Sequence, residues 1–185
     1  MRSAECGVRS MVNDDVKLRL LEEGDVPAVH RLLGDMKVVR YMLFPLFDEQ
    51  AARDFVCQSA AVSSGGAGRS LARAIVFADS GVLVGLCGLV LDRDGLQGEA
   101  WYLLDPDYWG QGLATEAGRH LLAYGFGHLR LHRIWATCLP QNPASARVLK
   151  KLGMRREGYL RQHLRIHGAW RDCFLYAMLR EEWHT

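Results

Sequence analysis

The chain has 185 residues, a net charge of +2 and an apolar content of 49%. These values are typical of one globular domain with a full core, and they do not favour binding to nucleic acid or to a membrane surface. The five cysteines lack any Cys-x-x-Cys spacing, so the sequence predicts neither a disulfide framework nor a metal site. Because neither an export signal nor a membrane-spanning apolar run is recognisable, we expect a cytoplasmic protein.

The chain begins with a polar segment, residues 1–15, which is predicted to be a loose tail, and the rest, 16–185, is predicted to form a single domain. The Gly-rich segment 63–68 is predicted to be a flexible loop within that domain, because the flanking pieces each lack a core of their own. In chain order, the pattern predicts a strand over 16–20, helices over 25–33 (capped by Asp25) and 48–62 (capped by Asp48), strands over 72–77, 82–91 and 99–104, a helix over 114–126, a strand over 132–138, a helix over 142–153, and strands over 159–166 and 172–179. This order favours a mixed sheet with helices on both faces.

The strongest functional pattern is the stretch 105–117, in which a strand is followed by a glycine turn and the start of a helix. Gly110 and Gly112 allow positive φ and close approach of a ligand to the backbone. The helix that follows leaves its first N–H groups without intrahelical partners, and the positive end of its dipole favours an anion. The stretch therefore predicts a phosphate-binding turn, with an ordinary strand–turn–helix connection as the alternative from the glycines alone.

Three motifs together resemble the GNAT acyltransferase superfamily: Tyr-Trp-Gly-Gln-Gly-Leu-Ala-Thr-Glu-Ala at 108–117, Asn-x-x-Ser at 142–145 and Lys-Leu-Gly-Met at 151–154. Within it they look most like the RimJ/RimL type, which acetylates α-amino groups of ribosomal proteins. The resemblance covers residues 18–183 and implies an α/β fold with a central mixed, mostly antiparallel sheet of about seven strands and about four helices. It also implies acetyl transfer from acetyl-CoA to an amine.

The resemblance assigns roles to individual residues. It places the general base at Glu99 and the proton donor to the leaving thiolate at Ser145. The implied contacts to acetyl-CoA are Leu103, Leu104, Trp109, Gly110, Gln111, Gly112, Leu113, Ala114, Thr115, Asn142 and Ser145. The implied contacts to the acceptor are Trp101, Tyr41 and His163.

Each assignment has a structural alternative. Glu99 could be an ion-paired residue of an edge strand, and Ser145 could bond the local backbone. Asn142 caps its helix whatever the function. Tyr41 could be core packing, and His163 a strand residue. Tyr102 is the rival general acid.

Two positions depart from the family pattern. Trp109 replaces the usual Gln or Arg of the glycine motif, and because phosphate contacts are mainly made by the backbone, we expect little effect on cofactor binding. Trp101 stands where relatives usually have Gly, and it shares its period-two position with Glu99. We therefore expect its indole to narrow the acceptor pocket.

The leading interpretation is an acetyltransferase acting on the N-terminal α-amine of a protein or peptide, with a homodimer as a possible assembly. A small-molecule amine, such as an antibiotic or a metabolite, is the first alternative acceptor. The second alternative is a CoA-binding module without catalysis, and the presence of Glu99, Asn142 and Ser145 argues against it.

Overall fold

The computed structural model describes residues 15–63 and 69–184. The predicted tail over 1–15 therefore lies outside the described residues except for Asp15, and so does the predicted loop over 63–68 except for Ser63. Within the described ranges, no helix is both long and apolar enough to cross a membrane.

In the described part of the chain, a seven-stranded sheet is flanked by five helices. The strands are β1 (Val16–Arg19), β2 (Ser70–Phe77), β3 (Leu83–Leu91), β4 (Gln97–Leu104), β5 (Arg133–Cys138), β6 (Arg155–Ile166) and β7 (Ala169–Leu179). The helices are α1 (Val26–Leu33), α2 (Met36–Val39), α3 (Glu49–Ser63), α4 (Leu113–Ala123) and α5 (Pro143–Lys151). A π-helical turn, Tyr124–His128, continues α4.

The sheet has the order β1-β2-β3-β4-β5-β7-β6. Of the seven described strands, only β4 and β5 pair in parallel, and every other neighbouring pair is antiparallel. The predicted α/β fold, with a mixed and mostly antiparallel sheet and helices on both faces, is therefore confirmed.

Each face of the sheet carries its own apolar core. One core joins the sheet to α4 and α5 and includes Phe126, Ile134 and Leu149. The other joins β2, β3 and β4 to α1, α2 and α3 and includes Val29 and Val56. Because side chains alternate along a strand, β4 sends Ala100, Tyr102 and Leu104 to the first core and Trp101 and Leu103 to the second.

Of the two aspartates predicted to cap helices, one does so and one does not. Asp48 caps α3 as predicted, since its Oδ1 accepts a hydrogen bond of 2.8 Å from the Ala51 amide. The predicted capping role of Asp25 is wrong, because its carboxylate instead accepts hydrogen bonds from the Glu22 amide and from the Arg19 guanidinium. A 3₁₀ turn, Glu23–Asp25, therefore precedes α1.

The last two strands form a hairpin that is longer than predicted. The register of β6 shifts by two residues between Leu160 and Leu164, and Gln162 in this bulge has a φ of 47°. The Asp172 carboxylate holds the bulge by accepting hydrogen bonds from the Gln162 amide and the Tyr159 hydroxyl. The bulge fixes the part of β6 that contains His163.

The first residue of β1 is bonded to the helix after the glycine turn. The Val16 amide donates to Glu116 Oε1 at 2.8 Å, and both residues are buried. Because the carboxylate lies in the first turn of α4, it also interacts favourably with the helix dipole.

We expect Glu116→Ala to lower the free energy of unfolding by about 1–3 kcal/mol, because a buried backbone N–H loses its acceptor. Glu116→Gln keeps an acceptor oxygen and should cost less. Urea unfolding of both variants measures the difference. An equal loss for Gln and Ala would show that the bond to Val16 is not the cause.

Candidate active site

The site begins where two neighbouring strands separate. β4 and β5 pair only from Gln97–Glu99 to Arg133–Trp135, and beyond Glu99 they diverge. Two cavities, of about 390 and 290 Å³, lie along this opening. They share a wall made of Tyr41, Met42, Tyr102, Asn142 and Ser145.

The larger cavity has a strongly cationic lining. Lys37, Arg40, Arg147 and Lys151 line it, whereas its described lining includes no carboxylate. An arrangement of four cations suits a ligand with several negative charges. The larger cavity can therefore hold a polyphosphate.

The predicted phosphate turn forms part of the same lining. Gly110 and Gly112 have φ values of 80° and 90°, and a Cβ at either position would meet no atom within 4 Å. Glycine is therefore required for the left-handed backbone rather than for space. The backbone amides of residues 110–114 have no hydrogen-bond acceptor among the described residues, which leaves them available to an anion.

Most of the predicted cofactor contacts lie together in the larger cavity. Leu103, Leu104, Trp109, Gly110, Gly112, Leu113, Ala114, Thr115, Asn142 and Ser145 line it. Gln111 does not line it, and its side-chain amide donates to the Asp107 carbonyl at 3.2 Å. Trp109 has a local role as well, because its indole N–H donates to the Leu104 carbonyl at 2.9 Å and ties the turn to the end of β4. Their contact with the cofactor stays a prediction.

The described lining of the smaller cavity is mostly apolar and contains a single charged group. Glu99 is the only charged residue among its described lining residues, and most of the others are apolar or aromatic. Burial raises the pKa of Glu99, while the Thr137 hydroxyl at 3.2 Å and the nearby His163 act in the opposite direction. A carboxylate with a raised pKa in an apolar cavity is suited to accept a proton.

Trp101 lies on the same face as Glu99, as its position in the strand predicts, and lines the smaller cavity. Its indole covers Gly88, where a Cβ would come within 2.7 Å of the ring, and it packs edge-on against Phe44 with ring centroids 5.4 Å apart. The Leu71 carbonyl oxygen would come closer still, so a backbone atom and a side chain both exclude a Cβ at Gly88. Whether Trp101 contacts the acceptor stays a prediction.

Two hydroxyl groups meet at the wall between the cavities. The Tyr102 hydroxyl lies 2.9 Å from Ser145 Oγ and 3.2 Å from the Ser145 carbonyl oxygen. Ser145 is held in place because its amide donates to Asn142 Oδ1 at 3.2 Å, which confirms Asn142 as the cap of α5. Burial raises the pKa of Tyr102, so its phenol stays neutral and can donate a hydrogen bond.

The other predicted acceptor residues are placed differently. Tyr41 lines both cavities. His163 lines neither, but it is near enough for its charge to lower the pKa of Glu99.

Thr137 and the four cations of the larger cavity were not predicted. Alternation along β5 places Thr137 on one face of the strand, but its contact with Glu99 depends on the register between strands.

A cavity suited to a polyanion adjoins an apolar cavity whose described lining contains one proton acceptor. This arrangement is typical of an enzyme that transfers a group from a phosphate-bearing carrier. The comparison with known families agrees. A family model, the acetyltransferase (GNAT) domain, matches residues 15–155. The chain belongs to the GNAT acetyltransferase family, and it is an acyltransferase that uses acetyl-CoA.

Curated relatives include enzymes with different acceptors. YnaD of Bacillus subtilis (strain 168), an uncharacterized N-acetyltransferase, is 34% identical over 167 residues, which are 90% of this chain and 95% of the relative. The spermidine N(1)-acetyltransferase of Escherichia coli (strain K12) is 30% identical over 169 residues, 91% of this chain and 88% of the relative. The [ribosomal protein uS5]-alanine N-acetyltransferase of the same organism is 35% identical over 82 residues, 44% of this chain and 42% of the relative.

A solved structure supports the same fold. A GNAT-family acetyltransferase from Bacillus anthracis superposes with a TM-score of 0.81 at 33% identity, and the match covers 91% of this chain and 97% of that one.

We expect Gly112→Val to weaken CoA binding roughly tenfold or more, because a β-branched residue at positive φ is strained and would shift the turn. Isothermal titration calorimetry with CoA measures the loss, and the thermal shift that CoA produces should fall in parallel. Gly81→Val is the matched control, since Gly81 has a φ of 71° and open space around its Cβ position but lies in the β2–β3 connection. Equal losses in both variants would contradict a specific role for the turn.

Proposed function

We propose that this enzyme acetylates the N-terminal α-amine of a protein or peptide whose first residue is small. The observation that carries the proposal is the charge of the smaller cavity, in which Glu99 is the only charged group of the described lining. One carboxylate among apolar walls suits an acceptor with one amine and an uncharged neighbourhood. We refer to this cavity below as the acceptor cavity.

The spermidine-acetylating relative raises a polyamine as the obvious rival. A polyamine carries further ammonium groups besides the one that reacts, and each of them would need a carboxylate or water in place of the apolar lining. The described residues of the acceptor cavity offer only Glu99. A polyamine has more positive charges than this lining can balance, so the cavity favours an acceptor with one amine.

The opening between the strands gives a further reason to favour a peptide. Beyond Glu99 and Trp135, the facing edges of β4 and β5 are not paired with each other. Exposed strand edges bind extended chains through backbone hydrogen bonds. A peptide entering the acceptor cavity could bond the backbone N–H and C=O groups of β5 beyond Trp135, since the other edge of β5 is already paired with β7.

The chemistry follows from the placement of the groups. Glu99 removes a proton from the ammonium form of the acceptor, whose pKa is roughly 7.7–8.0 for an α-amine. The neutral nitrogen attacks the thioester carbonyl, a C–N bond forms, and the C–S bond breaks to release the CoA thiolate. The nitrogen loses its second proton as the amide forms, and this proton restores the hydroxyl that protonates the thiolate. Ser145 and Tyr102 lie at the wall between the two cavities, where the thiolate would form.

The direction of one hydrogen bond decides which hydroxyl protonates the thiolate. If Tyr102 donates to Ser145 Oγ, the serine hydrogen is free to go to the thiolate. If Tyr102 instead donates to the Ser145 carbonyl, Ser145 Oγ donates its hydrogen to the phenol oxygen and has none left for the thiolate. The 2.9 Å distance between the two hydroxyl oxygens fits either direction, and we propose the first arrangement, with Ser145 as the proton donor.

A RimJ/RimL-type role in the cell, a cytoplasmic location, a homodimer and a single domain over 16–185 stay predictions.

The central test is release of free thiol from acetyl-CoA across an amine panel. We expect the highest kcat/KM with peptides that begin with Gly, Ala or Ser. A higher kcat/KM for spermidine, an aminoglycoside or a small metabolite amine would overturn the proposed acceptor.

We expect Glu99→Gln to reduce kcat by about 10²–10⁴-fold, with the largest loss between the pKa of Glu99 and the pKa of the amine, where the amine is protonated and the carboxylate is still charged. Since burial raises the pKa of Glu99, activity of the wild type should fall as the pH drops through that pKa and the carboxylate is protonated. Stopped-time thiol assays across pH measure both effects. Glu49→Gln, on the exposed start of α3, is the control. A loss below about fivefold at every pH would remove Glu99 from the mechanism.

We expect the wild type to prefer an Ala-initiated peptide over a Val-initiated one by about ten- to two-hundred-fold in kcat/KM, the usual effect of one or two methyl groups in a pocket. Trp101→Gly should reduce this ratio, because the indole no longer narrows the acceptor cavity. Trp170→Gly is the control, since Trp170 is exposed on the β6–β7 hairpin. Equal discrimination by the wild type and Trp101→Gly would show that Trp101 is a packing residue only.

A further inference from the structure

The acceptor cavity contains a hydroxyl group with no role in the steps above. Thr137 Oγ1 donates a hydrogen bond of 3.2 Å to Oε1 of Glu99. We propose that Thr137 is a positioning residue that fixes the Glu99 carboxylate by holding one oxygen, so that the other oxygen faces the acceptor amine. This inference rests on the proposed function, because it assigns a purpose to the orientation of the base.

The position of Thr137 follows from the geometry of the opening. Trp135 is the last residue of β5 in register with β4, and its partner is Glu99. Thr137 is two residues further along and therefore points to the same face of the sheet. Its hydrogen bond to Glu99 is thus a diagonal contact between side chains, at the place where the two strands separate.

A free carboxylate at this point would have several rotamers. A glutamate side chain loses up to about 2 kcal/mol of conformational entropy when it is fixed, and general-base catalysis needs the oxygen within hydrogen-bond reach of the proton. The carboxylate has two oxygens and can accept from Thr137 with one of them while the other takes the amine proton. The hydroxyl therefore orients the base without consuming it.

The charge on Glu99 is set by groups from several elements. Burial raises its pKa, and the Thr137 bond on β5 lowers it, as does His163 on β6. Cys173 on β7 stays a neutral thiol, because burial and the nearby carboxylates Asp172 and Glu99 raise its pKa to about 11. Tyr41 and Tyr102 also line the acceptor cavity. Removing the Thr137 hydroxyl should consequently raise the pKa of Glu99 further.

A purely structural role is the competing explanation, since a hydrogen bond between β4 and β5 could simply hold the strands at their point of separation. The two explanations differ in what they predict. A structural bond affects stability and both substrates alike. A positioning bond affects the pH dependence of acetyl transfer and has its effect only while Glu99 is a carboxylate.

The experiment compares the pH profiles of kcat/KM for an Ala-initiated peptide in the wild type, Thr137→Val and Thr137→Ser. Valine has nearly the same shape as threonine but lacks the hydroxyl, and serine keeps the hydroxyl. We expect Thr137→Val to lose about tenfold, the size of one hydrogen bond to a charged group, with the acidic limb moved to higher pH. Thr137→Ser should restore most of the rate and the profile. A wild-type profile in Thr137→Val would overturn the proposal.

A double-mutant cycle tests whether Thr137 acts through Glu99. In the Glu99→Gln background, Thr137→Val should change kcat/KM by less than about twofold, and full additivity would overturn the proposal. A second readout needs no acceptor: NMR titration of ¹³C-labelled glutamate with CoA bound should show a higher Glu99 pKa in Thr137→Val. If no peptide is acetylated but this pKa still rises, the proposed acceptor fails while the Thr137–Glu99 contact stands. An unchanged pKa contradicts the contact itself.

Discussion

The separation of β4 from β5 is the constraint on which the rest of the site depends. Paired strands satisfy each other's backbone groups, and strands that separate leave those groups in need of other partners. Here pairing ends at Glu99 and Trp135, and Tyr102 reaches Ser145 at the start of α5 across the opening. The resulting space is divided by this pair of hydroxyls into two cavities, so one feature of the sheet creates both proposed substrate sites and the wall between them.

Charge divides the two cavities as clearly as the hydroxyl pair does. Among the residues that the structure describes, the larger one has four cations and the amides of the glycine turn, and the acceptor cavity has the single charge of Glu99. In the proposed reaction, a polyanionic cofactor and a cationic amine are therefore directed to opposite sides of the same wall. Burial on the acceptor side also raises the pKa of Glu99. The electrostatic pattern thus supports both the order of the binding sites and the direction of proton transfer.

The parts of the site that could be predicted from sequence are those determined by neighbours in the chain. The glycine turn requires positive φ at two fixed positions, and the Asn142 cap requires only a residue three positions away, so both leave a local signal. The Thr137–Glu99 contact depends instead on the register of two strands separated by α4. At Asp25 a local signal was misleading for the same reason. Asp is a typical helix-cap residue, but the Asp25 carboxylate is bonded by Arg19 of β1, a contact that the local sequence does not indicate.

Trp101 and Gly88 illustrate how a departure from a family pattern can be accommodated within the sheet. The two residues are register partners on β4 and β3, and the indole occupies the space that a Cβ on Gly88 would need. A bulky residue on β4 is thus matched by the absence of a side chain on β3, and Phe44 packs edge-on against the indole. Since both partners are fixed by packing, the indole cannot easily rotate away from the acceptor cavity. The shape of that cavity is therefore a property of three elements together: β3, β4 and the segment between α2 and α3.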